Sequence, residues 1–225
     1  MAPVDRELLS PDQVRDGELK DWRQLNKQLR ARFRTNSFAV GLAFVNKVGA
    51  AAEVMDHHPD IALTYSEVVV TLFSHDVGGI TNRDLRLARE ISSLADELGI
   101  DSDVRGVTLV EIGLDTQSGA QLAPFYAALL RSEIRNGEPT DPSGQTPTLW
   151  WQDTGEVDED LALPPQTFEQ RWHFDVWVPS DDAEDRLRGV IQAGGRLVSD
   201  AGAPNYWVVE DAEGNRSCIC TPLGR

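Results

Sequence analysis

The apolar pattern changes character at Gly99-Ile100-Asp101-Ser102-Asp103, and that break limits what the 225 residues can build. It divides the chain into 1–103 and 104–225, each close to the ~100 residues at which a single hydrophobic core closes. Before the break, short alternating segments flank one long apolar helix. After it, a strand–helix–strands pattern occurs twice, as in a diverged internal repeat. One continuous sheet does not accommodate both patterns, so we expect two α+β domains.

In the first piece, Ser10-Pro11-Asp12-Gln13 combines a capping serine, a proline suited to the first helical turn and the glutamine of a capping box. A short helix is expected from Pro11 to about Glu18. Two antiparallel strands follow, from Trp22 and from Leu29, with an arginine-rich face toward water. A helix then runs from Asn36 or Ser37 to Met55. Phe38, Leu42, Val45, Gly49 and Ala52 recur at helical spacing, and Phe44, Val48, Ala51 and Met55 widen that face. Gly41, Gly49 and Ala50 to Ala52 suit close approach to a sheet. Pro59 ends the helix through its effect on the residue before it. Strands at Ile61–Tyr65 and Glu67–Phe73 and a helix from Thr81 to Leu98 complete the piece. Leu85, Ala88, Ile91, Leu94 and Leu98 form that helix's buried stripe.

In the second piece, strands are expected at Val107–Leu114, Thr148–Gln152, Trp172–Val178, Arg196–Val198, Asn205–Glu210 and Ser217–Thr221. Helices are expected at Ala120–Leu130 and Ala183–Ala193. Gly194-Gly195 stops the second helix, and Asp211 to Asn215 forms a hairpin turn. The stretch from Asn136 to Gln170 has eight acidic residues, five prolines and no lysine or arginine, and reads as loops around the Thr148–Gln152 strand.

Net charge excludes some partners. The formal charge is -16, which repels phosphate backbones and anionic lipid, so neither nucleic acid nor a membrane surface is expected. No apolar run is expected to reach the roughly 18–20 residues of a membrane span, and no secretory signal is visible at the start. Cys218 and Cys220 are too few for a disulfide framework and alternate on one strand as buried thiols. The expectation is a soluble, cytoplasmic protein.

Three of the four histidines, His57, His58 and His75, lie within nineteen positions, and the fourth is His173. Imidazole exchanges protons near neutral pH. Glu53, Asp56, Asp60, Asp76 and Asp84 surround the three, and a nearby carboxylate fixes which ring nitrogen carries the proton. His57-His58 leaves a helix and His75 ends a strand. The three rings either share one cleft or belong to two separate polar loops.

The run Glu53-x-x-x-His57-His58-Pro59, five residues to Tyr65, nine to His75 and eight to Asp84 resembles the signature of the pterin-4a-carbinolamine dehydratases. Trp22, Phe33, Phe38 and Gly79-Ile80-Thr81-x-x-Asp84 agree with it, so the resemblance covers residues 8 to about 98. It implies helices packed on a four-stranded antiparallel sheet, in domains that often pair into dimers or tetramers. It also implies dehydration of 4a-hydroxytetrahydrobiopterin to the quinonoid dihydropterin, with no metal and no cofactor. His57 and His75 are then the acid–base pair and His58 an orienting ring. Asp56, Pro59, Ser74, Asp84 and Trp22 are the expected substrate-binding set. Asp84 also reads as a capping-box acid, Tyr65 as a packing residue and Trp22 as cover for the core edge.

Residues 107 to 222 resemble a glyoxalase/bleomycin-resistance domain of two βαβββ modules. The likeness lies in Val110 to Asp115, His173 to Val178 and Glu210 to Asn215. Glu111 and His173 fit first-strand positions that hold ligands in metal-dependent members. Cys218 occupies the last-strand slot, so no metal is expected, since catalytic sites normally need three protein ligands. His173 reads as an interior or rim histidine paired with a carboxylate, and the tryptophans as core packing. The alternative function is a non-catalytic oligomerisation or small-ligand-binding protein that uses this second domain.

Overall fold

The structure, a computed structural model, describes residues 3–130, 132–144, 146–152, 163–166, 168–212 and 214–224. Much of the acidic stretch expected as loops, and Glu213 of the expected hairpin turn, lie outside the described residues. The chain forms two compact units that divide between Val107 and Thr108.

In the first unit, α1 (Pro11–Arg15) starts at the capping box of Ser10 and Gln13. It stops short of Glu18, which takes a left-handed backbone at φ 49°. β1 (Arg23–Leu25) and β2 (Gln28–Arg34) form an antiparallel hairpin. β3 (Asp60–Leu63) and β4 (Glu67–Leu72) complete an antiparallel sheet in the order β1-β2-β4-β3. The residues expected to mark only a boundary add a further short strand, β5 (Asp101–Ser102), beside Phe33 and Arg34 of β2. Leu29, Ala31 and Phe33 alternate with Arg30, Arg32 and Arg34, so β2 turns one face inward while its arginines take the other. There Arg32 donates to both carboxylate oxygens of Glu67 at 2.7 Å.

The helices α2 (Phe38–Met55) and α3 (Asn82–Glu97) supply the other half of the core. Phe33 and Phe44 meet edge to face at 5.0 Å, and Trp22 meets Phe33 at 6.1 Å. Burying each such ring contributes roughly 1.5–3 kcal/mol. The buried stripe of α2 is Gly41, Phe44, Val48 and Ala52, whereas Phe38, Val40, Leu42 and Val54 are exposed. Phe44, Val48 and Ala52 lie on the expected face, while Phe38 and Leu42, also expected there, are corrected to the outer side. A helix apolar nearly all round has no periodicity to mark its inner side; packing decides it. At Gly41 a Cβ would sit 2.6 Å from Leu63 Cδ1, so glycine is what lets α2 press against β3. Gly49 meets nothing and has no such role. The expectation that no apolar run reaches span length is also corrected. The eighteen residues of α2, with mean hydropathy 1.4, are long and apolar enough by length and composition, but Phe44, Val48 and Ala52 lie in the core of the unit. α3 buries Leu85, Leu87, Ala88 and Ile91, while Leu98, expected on its buried stripe, lies past the helix end and is exposed.

The second unit repeats one module. β6 (Leu109–Asp115), α4 (Gly119–Leu130), β7 (Glu133–Arg135), β8 (Glu138–Thr140) and β9 (Thr148–Gln152) form the first copy. β10 (Trp172–Trp177), α5 (Ala183–Gln192), β11 (Arg196–Ser199), β12 (Tyr206–Glu210) and β13 (Arg216–Cys220) form the second. Each copy is βαβββ. The first strand of each pairs parallel with the last, β6 with β9 and β10 with β13, and β6 joins β10 antiparallel in a sheet ordered β11-β12-β13-β10-β6-β9. Sequence patterning missed the β7–β8 hairpin. Its turn, Asn136-Gly137, has φ of 52° and 82° at successive residues. Asn-Gly is the strongest short hairpin signal, and it was present in the sequence. α5 packs on Trp207, Val209 and Ile219, and Tyr126 of α4 meets Trp151 and Trp172 at 5.8 and 6.0 Å.

Candidate active site

The end of α2 delivers the first histidine. Asp56 closes the helix in the left-handed region, at φ 49° and ψ 42°. Its N–H donates to Glu53 O at 3.3 Å, and the N–H of His57 donates to Ala52 O at 3.2 Å. These two bonds make a Schellman closure, with Asp56 in the position glycine usually takes. The backbone that ends the helix therefore also sets where His57 leaves it. Asp56→Gly relieves a left-handed side chain but adds unfolded-chain entropy. Its stability should equal the parent's or exceed it by up to about 1 kcal/mol. Urea unfolding that shows a loss of that size would contradict this account of the turn.

His57 is buried, and its Nε2 lies 2.8 Å from Oδ1 of Asp84, which has no solvent exposure. The other carboxylate oxygen, Oδ2, accepts from Ser74 Oγ at 2.6 Å, Thr81 N–H at 2.8 Å and Thr81 Oγ1 at 3.2 Å. The Thr81 and Asp84 bonds are also the capping box of α3. Burial pushes the Asp84 carboxyl up, but the hydrogen bonds from His57, Ser74 and Thr81 together outweigh it and hold the group below the ordinary carboxylate value. Asp84 is thus a carboxylate that accepts only, so Nε2–H of His57 is the donor to it, and in the neutral ring the lone pair lies on Nδ1.

His75 leaves the end of β4 at a tight turn. Ser74 N–H donates to Gly79 O, Val77 and Gly78 donate back to Ser74 O, and Gly78 takes a left-handed φ of 76°. His75 is exposed, with its ring edge-on to Phe73 at 5.1 Å. His58 is exposed as well, its Nε2 3.2 Å from Glu53 Oε1. An exposed pair of that kind is worth at most about 1 kcal/mol, so His58 keeps its freedom to turn. Asp84 therefore ties together the segments that carry all three histidines: His57 and its neighbour His58 through one oxygen, and Ser74, next to His75, through the other.

Three expected substrate contacts are corrected. Trp22 is 2% exposed, and its Nε1–H donates to Ala88 O at 3.0 Å and Ser92 Oγ at 3.2 Å, so it belongs to the core. Asp84 and Ser74 are buried, with their polar groups engaged in the network, so they hold His57 and do not present themselves to a ligand. Asp56 is exposed and Pro59 half-buried beside the histidine pair. Sequence reasoning missed Arg83, which donates to Asp76 Oδ1 at 2.6 Å and Thr81 Oγ1 at 3.3 Å. The Asp76 carboxyl is held down chiefly by that guanidinium. Apart from adjacency to the cap, no signal marks it.

In the second unit, Glu111 accepts Trp177 Nε1–H at 2.6 Å. His173 lies 3.4 Å from Asp115 and 3.6 Å from Asp175, which matches its expected carboxylate partnership. Its ring covers Gly113, where a Cβ would approach within 2.5 Å. Burial pushes the Asp115 carboxyl up, against the pull of His173 and Arg171. Among the described residues no three His, Cys, Asp or Glu side chains are grouped to hold a metal ion. Trp177 and Trp207 are buried in the core, as expected of the tryptophans, whereas Trp172 is exposed and Trp150 and Trp151 are half-buried; Cys220 is buried and Cys218 half-buried.

Comparison with known proteins places relatives on each unit separately. A family described as "Pterin 4 alpha carbinolamine dehydratase" matches residues 7–94, and one described as "Glyoxalase-like domain" matches 111–220. A protein of Cyanothece sp. named "Putative pterin-4-alpha-carbinolamine dehydratase" is 38% identical over 91 residues, which are 40% of this chain and 94% of that protein. One of the same name from Thermosynechococcus vestitus is 41% identical over 91 residues, again 40% of this chain and 96% of the relative. A crystal structure of a "transcriptional coactivator/pterin dehydratase" from Brucella melitensis is 26% identical, with TM-score 0.39, covering 40% of this chain and 99% of that one.

Proposed function

The chain belongs to the pterin-4a-carbinolamine dehydratase family, and from that premise we propose that its N-terminal unit dehydrates 4a-hydroxytetrahydropterin to the quinonoid dihydropterin. The observation that carries the reading is one buried carboxylate, Asp84, linked at 2.8 Å to His57 and at 2.6 Å to Ser74, the residue before His75.

In the reaction the C4a–O bond breaks as the hydroxyl takes a proton and leaves as water. The N5–H bond breaks as its electron pair becomes the N5=C4a double bond. One base and one acid at two points of a flat ring are sufficient. His57 serves as the base, through Nδ1, because the Asp84 carboxylate stabilises the imidazolium that forms. His75, exposed at the turn after β4, delivers the proton to the leaving oxygen, and His58 orients the ring. Asp56 and Pro59 complete the proposed substrate contacts. Paired general acid–base help is worth about 10²–10⁴-fold in rate, and a carbinolamine is already activated toward loss of water.

A scaffold that only assembles or binds a ligand has no need for a histidine held on a buried carboxylate. The test is the decay of 4a-hydroxytetrahydropterin, followed by absorbance with and without purified protein. Catalysed decay is expected, and decay at the uncatalysed rate would end this reading. Self-association belongs to the same proposal, since α2 exposes Phe38, Leu42 and Val54. Light scattering of the same preparation should give a multiple of 24.9 kDa.

A further inference from the structure

We infer that Ser74 and Thr81 are positioning residues that hold the ring of His57 in place by fixing the plane of the Asp84 carboxylate. The inference rests on the reading of His57 as a proton-transfer group, and it goes further by naming what fixes that group.

A carboxylate has two oxygens, and each can face the imidazole when the group turns about its terminal torsion. If both were free of other partners, the plane of the carboxylate could swing, and the ring bonded to it would follow. Here Oδ2 accepts from Ser74 Oγ at 2.6 Å and from Thr81 N–H at 2.8 Å, from two different elements. The two hydroxyls also bond each other at 2.9 Å. A half-turn only exchanges two equivalent oxygens, but any smaller turn would take the acceptor away from a backbone N–H and a serine hydroxyl where neither reaches solvent, since Ser74 and Thr81 are 1% and 0% exposed. Such a loss is costly in a buried site. The oxygen that accepts Nε2–H of His57 is therefore held in one direction.

The lock also joins the ends of three elements. His57 follows α2, Ser74 follows β4, and Thr81 caps α3. The hydroxyl of Ser74 is the bond that reaches the carboxylate from the β4 side. The charged groups joined to this network are His57, on Asp84 itself, and Arg83, whose Nε–H reaches Thr81 Oγ1 at 3.3 Å and whose guanidinium pairs with Asp76. Removing the Ser74 hydroxyl takes away one of the bonds that hold the Asp84 carboxyl down, so its titration moves upward.

The experiment compares the full chain with Ser74→Ala and Ser74→Thr. Nitrogen-15 NMR of the imidazoles reports the His57 tautomer without any need for turnover. The parent should show one tautomer, with a slowly exchanging Nε2–H. In Ser74→Ala that proton should exchange faster. Outer-shell partners of functional histidines commonly account for about 10–100-fold in activity. A fall of that order in kcat is expected for Ser74→Ala, with KM little changed and the acidic limb of the kcat profile moved to higher pH. Ser74→Thr, which keeps the hydroxyl, should restore both the slow exchange and kcat. A Ser74→Ala protein with the parent's exchange rate overturns the inference, whatever its turnover. If the parent gives no turnover, the dehydratase reading falls, while the NMR comparison still decides whether the lock exists.

Discussion

Replacing His57 by alanine is expected to lower carbinolamine dehydration by about 10²–10⁴-fold, equivalent to roughly 2.7–5.5 kcal/mol of transition-state stabilisation. The ring is 7% exposed and makes the 2.8 Å bond to Asp84, so alanine also leaves a cavity and an unpaired carboxylate oxygen. Loss of rate in that variant alone would not separate chemistry from folding. His57→Gln separates them. Its side-chain amide can still donate to Asp84 Oδ1, but it takes up no proton near neutral pH. It should therefore keep most of the stability and lose the rate. His75→Ala supplies the opposite control, because His75 is exposed and edge-on to Phe73. It should lose rate with almost no change in urea midpoint. Turnover by His57→Gln within a few-fold of the parent would remove His57 from the chemistry, whatever the alanine variant did.

The histidine spacing was legible because it is a matter of order along the chain, and the Thr81-x-x-Asp84 box was legible because capping is local. What stayed hidden is what those local features do to each other. Asp84 reads as a cap, as a ligand contact or as a carboxylate that orients the rings, and only the arrival of Ser74 from β4 and His57 from α2 selects the last. Trp22 fits the family pattern, yet position in a motif does not distinguish a ring that lines a pocket from one whose N–H is spent on Ala88 O. The inner face of α2 was misread for a related reason. With Phe38, Leu42, Phe44 and Val48 all apolar, the sheet chooses the side, and Gly41 against Leu63 is where that choice is made. The alternating strands β2 and β4 gave no such ambiguity, because arginines on β2 and the valines of β4 declare their faces. In the second unit the repeat was visible, but the first copy looked incomplete because β7 and β8 are only three residues each.

Asp84 carries the second large effect, and its two variants should fail in different ways. Asp84→Ala strips the acceptor from His57 Nε2–H, Ser74 Oγ–H and Thr81 N–H together, and it removes the capping box of α3. Leaving a buried donor without its acceptor costs about 1–3 kcal/mol, and loss of a cap adds to the same total. Asp84→Asn keeps the shape. Its amide oxygen must face Thr81 N–H, which can only donate, so its NH2 faces His57 and asks Nε2 to accept. His57 then carries its proton on Nδ1, the nitrogen that should be free to take one. Dehydration should fall as far as in His57→Gln, with a smaller loss of stability than in Asp84→Ala. The pH dependence has a definite sign. The folded-state Asp84 group titrates below its ordinary value near 3.8, so its ionised form binds the folded state more strongly. That contribution is fully present above the unfolded value and is lost as the pH falls through the folded one. The stability gap between parent and Asp84→Asn, measured by urea unfolding, should therefore be widest at neutral pH and shrink in acid, where the parent's carboxyl is protonated and resembles the amide. A gap that stays constant from neutral pH to below 3.8, or an asparagine variant with the parent's turnover, would show that the charge on Asp84 supports neither the fold nor the histidine.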